Sequence, residues 1–299
     1  DFKEEITREI MAKKRERVRE ESFQRLSLNL RIQHIFLFSS VIILIITGLP
    51  LKFPEVSWAE WMMHLLGGIQ NSTLMHRVGA TGLIIVSIYH LFYTILSRQG
   101  RRDFFLLLPR PKDFFDALTN IKHFIGRSER KPRFGRFSYI EKFDYWAVYW
   151  GCIIMIASGF FLWFETLTMR FFPKFVIDIS HEAHSDEALL ATLAIVIWHF
   201  YNVHFNPSKF PGSLLWWHGK MNKEEMIEEH PLEYEKITGE KLPVQGGPDD
   251  YELFLETRLG SFFSVQSEKW KLRWQKKFGR FLKLKEVAEG SEEVELSIE

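Results

Sequence analysis

Residues 184–205, HSDEALLATLAIVIWHFYNVHF, decide how the rest of the chain is read. From Ala188 to Trp198 every side chain is apolar except Thr192, and histidines stand at both ends: His184, then His199 and His204. On an α-helix the fifteen residues from His184 to His199 span roughly 22 Å and leave the two about 60° apart, on broadly one face. Imidazoles near opposite membrane surfaces and facing the same way suit a pair of haems stacked across a bilayer. A membrane helix with polar ends accounts equally well for this stretch alone, so a second helix must supply matching histidines.

Residues 74–96, LMHRVGATGLIIVSIYHLFYTIL, meet that requirement. His76 and His90 are fourteen residues apart, about 21 Å of rise with about 40° of residual rotation. Two more apolar runs complete the set: residues 32–53, opened by His34, and residues 143–164, which hold no histidine. Each run is long enough to cross a hydrocarbon core of about 30 Å. The fold class is therefore all-α, a four-helix transmembrane bundle with helices near 32–53, 74–96, 143–164 and 184–205.

The near-neutral balance, 39 Lys and Arg against 38 Asp and Glu, hides a division between uncharged runs and densely charged flanks. Residues 1–31 read as an amphipathic surface helix, not as a signal peptide. Residues 97–142 are strongly basic. Residues 206–299 form a charged extension, with an amphipathic stretch at 270–284, that is expected to pack on neighbouring subunits. Lys and Arg concentrate in the opening arm and the second connection, which places both termini in the cytoplasm and the chain in a bacterial or archaeal cytoplasmic membrane. Aromatics reach 15%, as where rings line membrane interfaces or pack on a flat cofactor. The single cysteine, Cys152, offers neither a disulfide framework nor thiolate metal sites. No Gly-rich nucleotide fingerprint or P-loop occurs, and no nucleic-acid partner is expected.

With alternating helix directions, His76 and His184 lie at the outer level, while His34, His90 and His199 lie at the inner one. Ionisable side chains in a membrane normally face the bundle interior, and histidine is a standard axial ligand of haem. His76 with His184 forms an outer pair. Helical phase would pair His199 with His90. His181 could substitute for His184; His64, His123, His218 and His230 read as solvated. His204, about 140° around an α-helix from His199, cannot easily serve the same iron, and a third haem between His34 and His204 is the corresponding hypothesis. Gly48, Gly79, Gly82 and Gly159 leave room either for a porphyrin or for close helix packing.

The runs QHIFLFSSVIILIITGLPLKF (33–53), MHRVGATGLIIVSIYH (75–90), DYWAVYWGCIIMIASGFFLWF (144–164) and HSDEALLATLAIVIWHFYNVHFNPSKFP (184–211) resemble the four-helix dihaem cytochrome b membrane subunits. These serve formate dehydrogenases, nickel–iron hydrogenases, thiosulfate reductases and multihaem cytochrome c complexes. The resemblance covers about residues 30 to 212 and leaves the extension unexplained. It implies haem b between His76 and His184, and a second between His34 and His199, so the partner of His199 stays open between His34 and His90. It also implies exchange with menaquinone or ubiquinone beside the inner haem and with a redox partner, an iron–sulfur protein or multihaem cytochrome c, at the outer one. Arg31, Asn202 and Lys209 are candidates for the quinone headgroup or haem propionates. Two other readings compete: a stand-alone quinone-linked oxidoreductase, and a haem-free membrane anchor or ion pathway.

Overall fold

The computed structural model describes residues 22–207, 209–210, 212–243, 250–257, 264–266, 269 and 273. A short strand β1 (Ser22–Gln24) leads into α1 (Leu28–Lys52), followed by α2 (Ser57–Leu65), α3 (Ile69–Leu96), α4 (Arg98–Leu107), α5 (Pro111–Phe124), α6 (Tyr139–Trp163) and α7 (Glu165–Phe171). Then come α8 (Phe175–Leu193), which continues through π-helical segments Ala194–His199 and Tyr201–Phe205, α9 (Leu215–His218), β2 (Lys220–Asn222), α10 (Lys223–Glu229), α11 (Pro231–Thr238) and α12 (Asp250–Glu256). Among the described residues, four helices are long and apolar enough to cross a membrane: α1, α3, α6 and the continuous run Phe175–Phe205. Large apolar side chains such as Val78, Ile85 and Ile197 are exposed on them, as lipid-facing surface should be.

Local chemistry sets the boundaries. Ser27 caps α1, its hydroxyl accepting from Leu30 N–H at 3.4 Å, and Pro50 sits in the last turn, where its missing N–H ends the helix soon after. A reciprocal capping box starts α6: Ser138 Oγ accepts from Glu141 N–H (3.2 Å) while Glu141 Oε2 accepts from Ser138 N–H (2.7 Å), a device worth about 1 kcal/mol. Gly100 permits the sharp turn from α3 into α4, since a Cβ there would collide with the Tyr93 carbonyl.

Within one unit of the structure, residues 1–109 with 133–242, α1 packs chiefly on α3 and α6 on α8. Lys52 joins the pairs, its Nζ donating to Asp186 (2.7 Å) and Ser185 (3.0 Å). The second unit, residues 110–132 with 243–299, contains α5 and α12, packed through Phe115 against Tyr251 and Phe254 with ring centroids 5.8 and 4.9 Å apart.

Several expectations change. The fourth membrane helix begins at Phe175, nine residues before the expected start at 184, because Asp178, Glu182 and their neighbours are as compatible with a helical end as with a loop. The second begins at Ile69 and the connection before it holds α2. Residues 1–21 lie outside the described residues, as does the stretch 270–284 apart from Arg273. Residues 22–24, expected in a surface helix, are a strand paired antiparallel with β2, Phe23 opposite Met221.

Residues 213–242, rather than reaching only for other subunits, fold back on this chain. Met221, Met226 and Tyr234 form a buried core joined by Phe23, Leu215, Ile227 and Leu242, and Leu232 N–H donates to the Phe134 carbonyl (3.0 Å). We call this the cap, and its side of the bundle the near end. His230, expected to be solvated, is 2% exposed. Its Nδ1 donates to the Gly135 carbonyl at 2.7 Å and its Nε2 faces Arg25 Nη2 at 3.1 Å, an arrangement that requires a neutral ring. Burial pushes the imidazole below its ordinary pKa. Around it, Arg136 pairs with Asp103 (2.8 Å) and Arg133 with Glu235 (2.7 Å), satisfying charges that would otherwise be costly to shield from water.

Candidate functional site

At the far end two histidines meet. His76 on α3 and His184 on α8 approach with ring centroids 6.3 Å apart. Each ring is held by a hydroxyl on another helix: Nδ1 of His76 lies 2.9 Å from Thr47 Oγ1, and Nδ1 of His184 lies 3.0 Å from Ser158 Oγ. Both hydroxyls direct their single proton to the carbonyl four residues back, Thr47 to Ile43 (2.7 Å) and Ser158 to Ile154 (2.6 Å). Each is therefore left to accept, and each histidine Nδ1 must donate. That selects one tautomer at both rings, with the proton on Nδ1 and the lone pair on Nε2.

The residue after each hydroxyl is glycine. A Cβ at Gly48 would lie 3.2 Å from His76 Cε1, and one at Gly159 would lie 3.2 Å from His184 Cε1. The pair of dipeptides, Thr47-Gly48 and Ser158-Gly159, thus builds the same support twice from different helices. The other two glycines serve packing instead: Gly79 faces Ile43 and Leu44, and Gly82 faces Ser40.

The near end is less symmetric. His199 Nδ1 donates to Asp144 Oδ2 on α6 at 3.1 Å. His34, the electrostatic neighbour of His199, stacks edgewise on Phe38 (5.6 Å), and its buried Nδ1 has no hydrogen-bond partner among the described residues. His90 has both nitrogens engaged, Nδ1 with Gln33 Oε1 (2.8 Å) and Nε2 with the Tyr145 hydroxyl (3.1 Å).

The backbone carrying His199 and His204 is π-helical, with i→i+5 bonds from Phe200 N–H to Ile195 O and from Asn206 N–H to Tyr201 O. Wider turns rotate the chain less per residue, so the angle between His199 and His204 is smaller than the α-helical 140° expected. His204 packs between Phe200 and Phe205, 5.8 and 6.5 Å away. Gly212, at φ +135, passes so close that a Cβ there would sit 2.6 Å from His204 Nδ1.

Of the polar candidates, Lys209 is paired with Glu229 (3.0 Å), and Asn202 donates to the Trp198 carbonyl (2.9 Å). Arg31 reaches the Trp217 carbonyl through Nη1, while its buried Nε has no partner among the described residues. His64 and His181 have side chains 81% and 72% exposed. His123 bonds the Ser128 carbonyl (2.9 Å) and His218 accepts from Lys220 N–H (3.1 Å).

Sequence reasoning passed over Thr47, Ser158, Asp144, Gln33 and Tyr145. A signal existed for the first two, since each hydroxyl–glycine dipeptide begins five residues before the end of its helix, at Lys52 and Trp163. For Asp144 the signal was a carboxylate within an otherwise apolar run.

Among the described residues no three His, Cys, Asp or Glu side chains converge as on a metal ion, and His76 and His184 face each other as a pair. No curated protein matches the chain. Residues 25–209 match the family described as prokaryotic cytochrome b561. That span exceeds half of the chain and includes all four membrane helices with His34, His76, His90, His184, His199 and His204, so the chain belongs to the prokaryotic cytochrome b561 family and is a membrane-spanning b-type cytochrome that carries electrons.

Proposed function

We propose that this chain holds two haem b groups, one between His76 and His184 and one between His34 and His199. It passes electrons between a quinone pool and a redox partner on the opposite side, an iron–sulfur protein or a multihaem cytochrome c. The observation that carries this reading is the far histidine pair. A histidine nitrogen binds a metal at about 2 Å, and the ring centre lies roughly 1 Å behind it. Two imidazoles that held one iron between them would therefore have centroids about 6 Å apart, against 6.3 Å between His76 and His184. Their Nδ1 atoms are taken by Thr47 and Ser158, which leaves both Nε2 atoms for iron.

The near pair is argued from which ring nitrogens the protein already uses. His199 is held through Nδ1 by Asp144, the carboxylate–histidine arrangement that fixes ring orientation and strengthens a ligand. His34, with its unpartnered nitrogen, is the better second ligand than His90, whose nitrogens are both used within the protein. This supports two haems rather than a third between His34 and His204.

A haem held by two histidines would supply one-electron transfer. The remaining work falls to the chain. Asp144 and the two hydroxyls hold the imidazoles, the helices exclude water, and Arg31 offers a guanidinium N–H to a propionate or quinone oxygen at the near end. The concentration of Lys and Arg in residues 97–142 supports a cytoplasmic side for that end. Reduced-minus-oxidised spectra of membranes containing the chain test the reading. A b-type α-band, appearing on addition of a quinol, is expected with two haems per chain; its absence rejects haem ligation.

A further inference from the structure

Asp144, Gly151 and Ser158 recur at intervals of seven along α6, so they line one face of that helix. Asp144 touches His199 of the near level and Ser158 touches His184 of the far level. Gly151, the central residue of Tyr139–Trp163, lies about 10 Å along the helix from each. It is buried, and what its missing side chain admits is a carboxylate: a Cβ at Gly151 would lie 2.9 Å from Glu187 Oε1. Glu187 thus extends from the fourth membrane helix to the middle of the third, halfway between the two histidine levels.

An ionisable group at that depth is costly and calls for a function. The groups around Glu187 do not neutralise it. From α6 it is faced by Cys152, which is hydrogen-bonded to Ser87 of α3. On its own helix His184 stands one turn away, and Asp186 is engaged by Lys52 of α1. Among the contacts described, no cation reaches the Glu187 carboxyl.

We propose that Glu187 is the proton acceptor that compensates electron arrival between the two haem levels, an inference that rests on the dihaem reading. A ferric haem bound at either histidine level would carry a net positive charge, and a carboxylate between the two levels in a low-dielectric interior would be stabilised by it. One electron from a quinol or a soluble reductant, reducing such an iron from ferric to ferrous, would remove that positive charge. The carboxylate then takes one proton from the aqueous phase, forming an O–H bond, so net charge in the membrane interior is unchanged. Gly151 is the positioning residue, because any side chain there would displace the acid.

The full-length haem-loaded protein tests this by two readouts. Potentiometric titration at the α-band from about pH 6 to about pH 9 should show midpoint potentials that fall as pH rises. Redox-difference infrared spectra should show a carboxylic C=O band in the reduced state. Glu187→Gln should abolish the band and flatten the pH dependence. Glu187→Asp and Gly151→Ala should keep the band at a shifted frequency, so the assignment stays readable even if Glu187→Gln does not load haem. A band absent from wild type, unmoved in Glu187→Asp and Gly151→Ala, or retained in Glu187→Gln overturns the inference. A wild-type chain with no α-band would instead reject the dihaem reading beneath it.

Discussion

At the far end, Thr47-Gly48 and Ser158-Gly159 support His76 and His184 in the same way. At the near end, His199 leans on a carboxylate, His34 has a bare nitrogen, and the backbone beneath His199 and His204 is π-helical. The far arrangement is a repeated holding device in neutral groups. The near arrangement brings a carboxylate, an irregular helix and a half-buried polar chain of Asn29, Gln33, His90 and Tyr145 to one place. Symmetry suits a station that only relays electrons, whereas polar, irregular surroundings suit the place where a substrate exchanges protons as well.

The largest test of this contrast is ligand removal at the far end. His184→Ala should lower haem content from two per chain to about one, and His76→Ala should do the same, read by pyridine haemochrome assay. A variant of either that keeps both haems would break the pairing. At the near end, His34→Ala should lose the other haem while His90→Ala keeps both. The reverse result would mean that Gln33 and Tyr145 release His90 to iron and that helical phase governs the near end.

A smaller effect separates the two kinds of support. An anionic acceptor increases electron density on its imidazole more than a hydroxyl does, which favours ferric iron. Asp144→Asn should therefore raise the near haem's midpoint potential with haem retained. Thr47→Val and Ser158→Ala should change potentials less and act mainly on retention, weakening haem binding by about 10- to 100-fold. Equal upward shifts for all three substitutions would erase the distinction between the ends.

The smallest effect lies outside the membrane. With its pKa below the unfolded value, near 6.5, His230 binds a proton more readily once the cap opens. Stability that is present above this range is thus lost as pH falls through it. Hydrogen exchange in residues 220–234, corrected for intrinsic rates, should quicken between about pH 7.5 and about pH 5.5. Unchanged protection would assign the cap's stability to Tyr234 and Met226 alone.

Much of this was legible in the chain itself. Four apolar runs and the spacing of His76, His90, His184 and His199 announce the bundle and its two levels, because membrane length and helical rise are fixed quantities. Helix starts were less legible: charged residues such as Asp178 and Glu182 extend a membrane helix beyond its hydrocarbon segment without altering its hydropathy signal. The π-helical turns were invisible, since periodicity arguments assume a uniform rotation per residue. The burial of His230 was equally hidden, because it depends on pairing residues 22–24 with residues 220–222, almost two hundred positions apart.

That strand pair also dictates an order of assembly. Its second strand follows the last membrane helix, so during synthesis the ribbon cannot close until all four helices have been made. One strand directly precedes the helix that carries His34, and the other follows, after α9, the helix that carries His199. Closing the ribbon therefore ties the first and last membrane segments together outside the bilayer and turns an open hairpin series into a ring. A chain interrupted before Lys220 could retain the far station, built within the bundle, while lacking the clasp that fastens the near one.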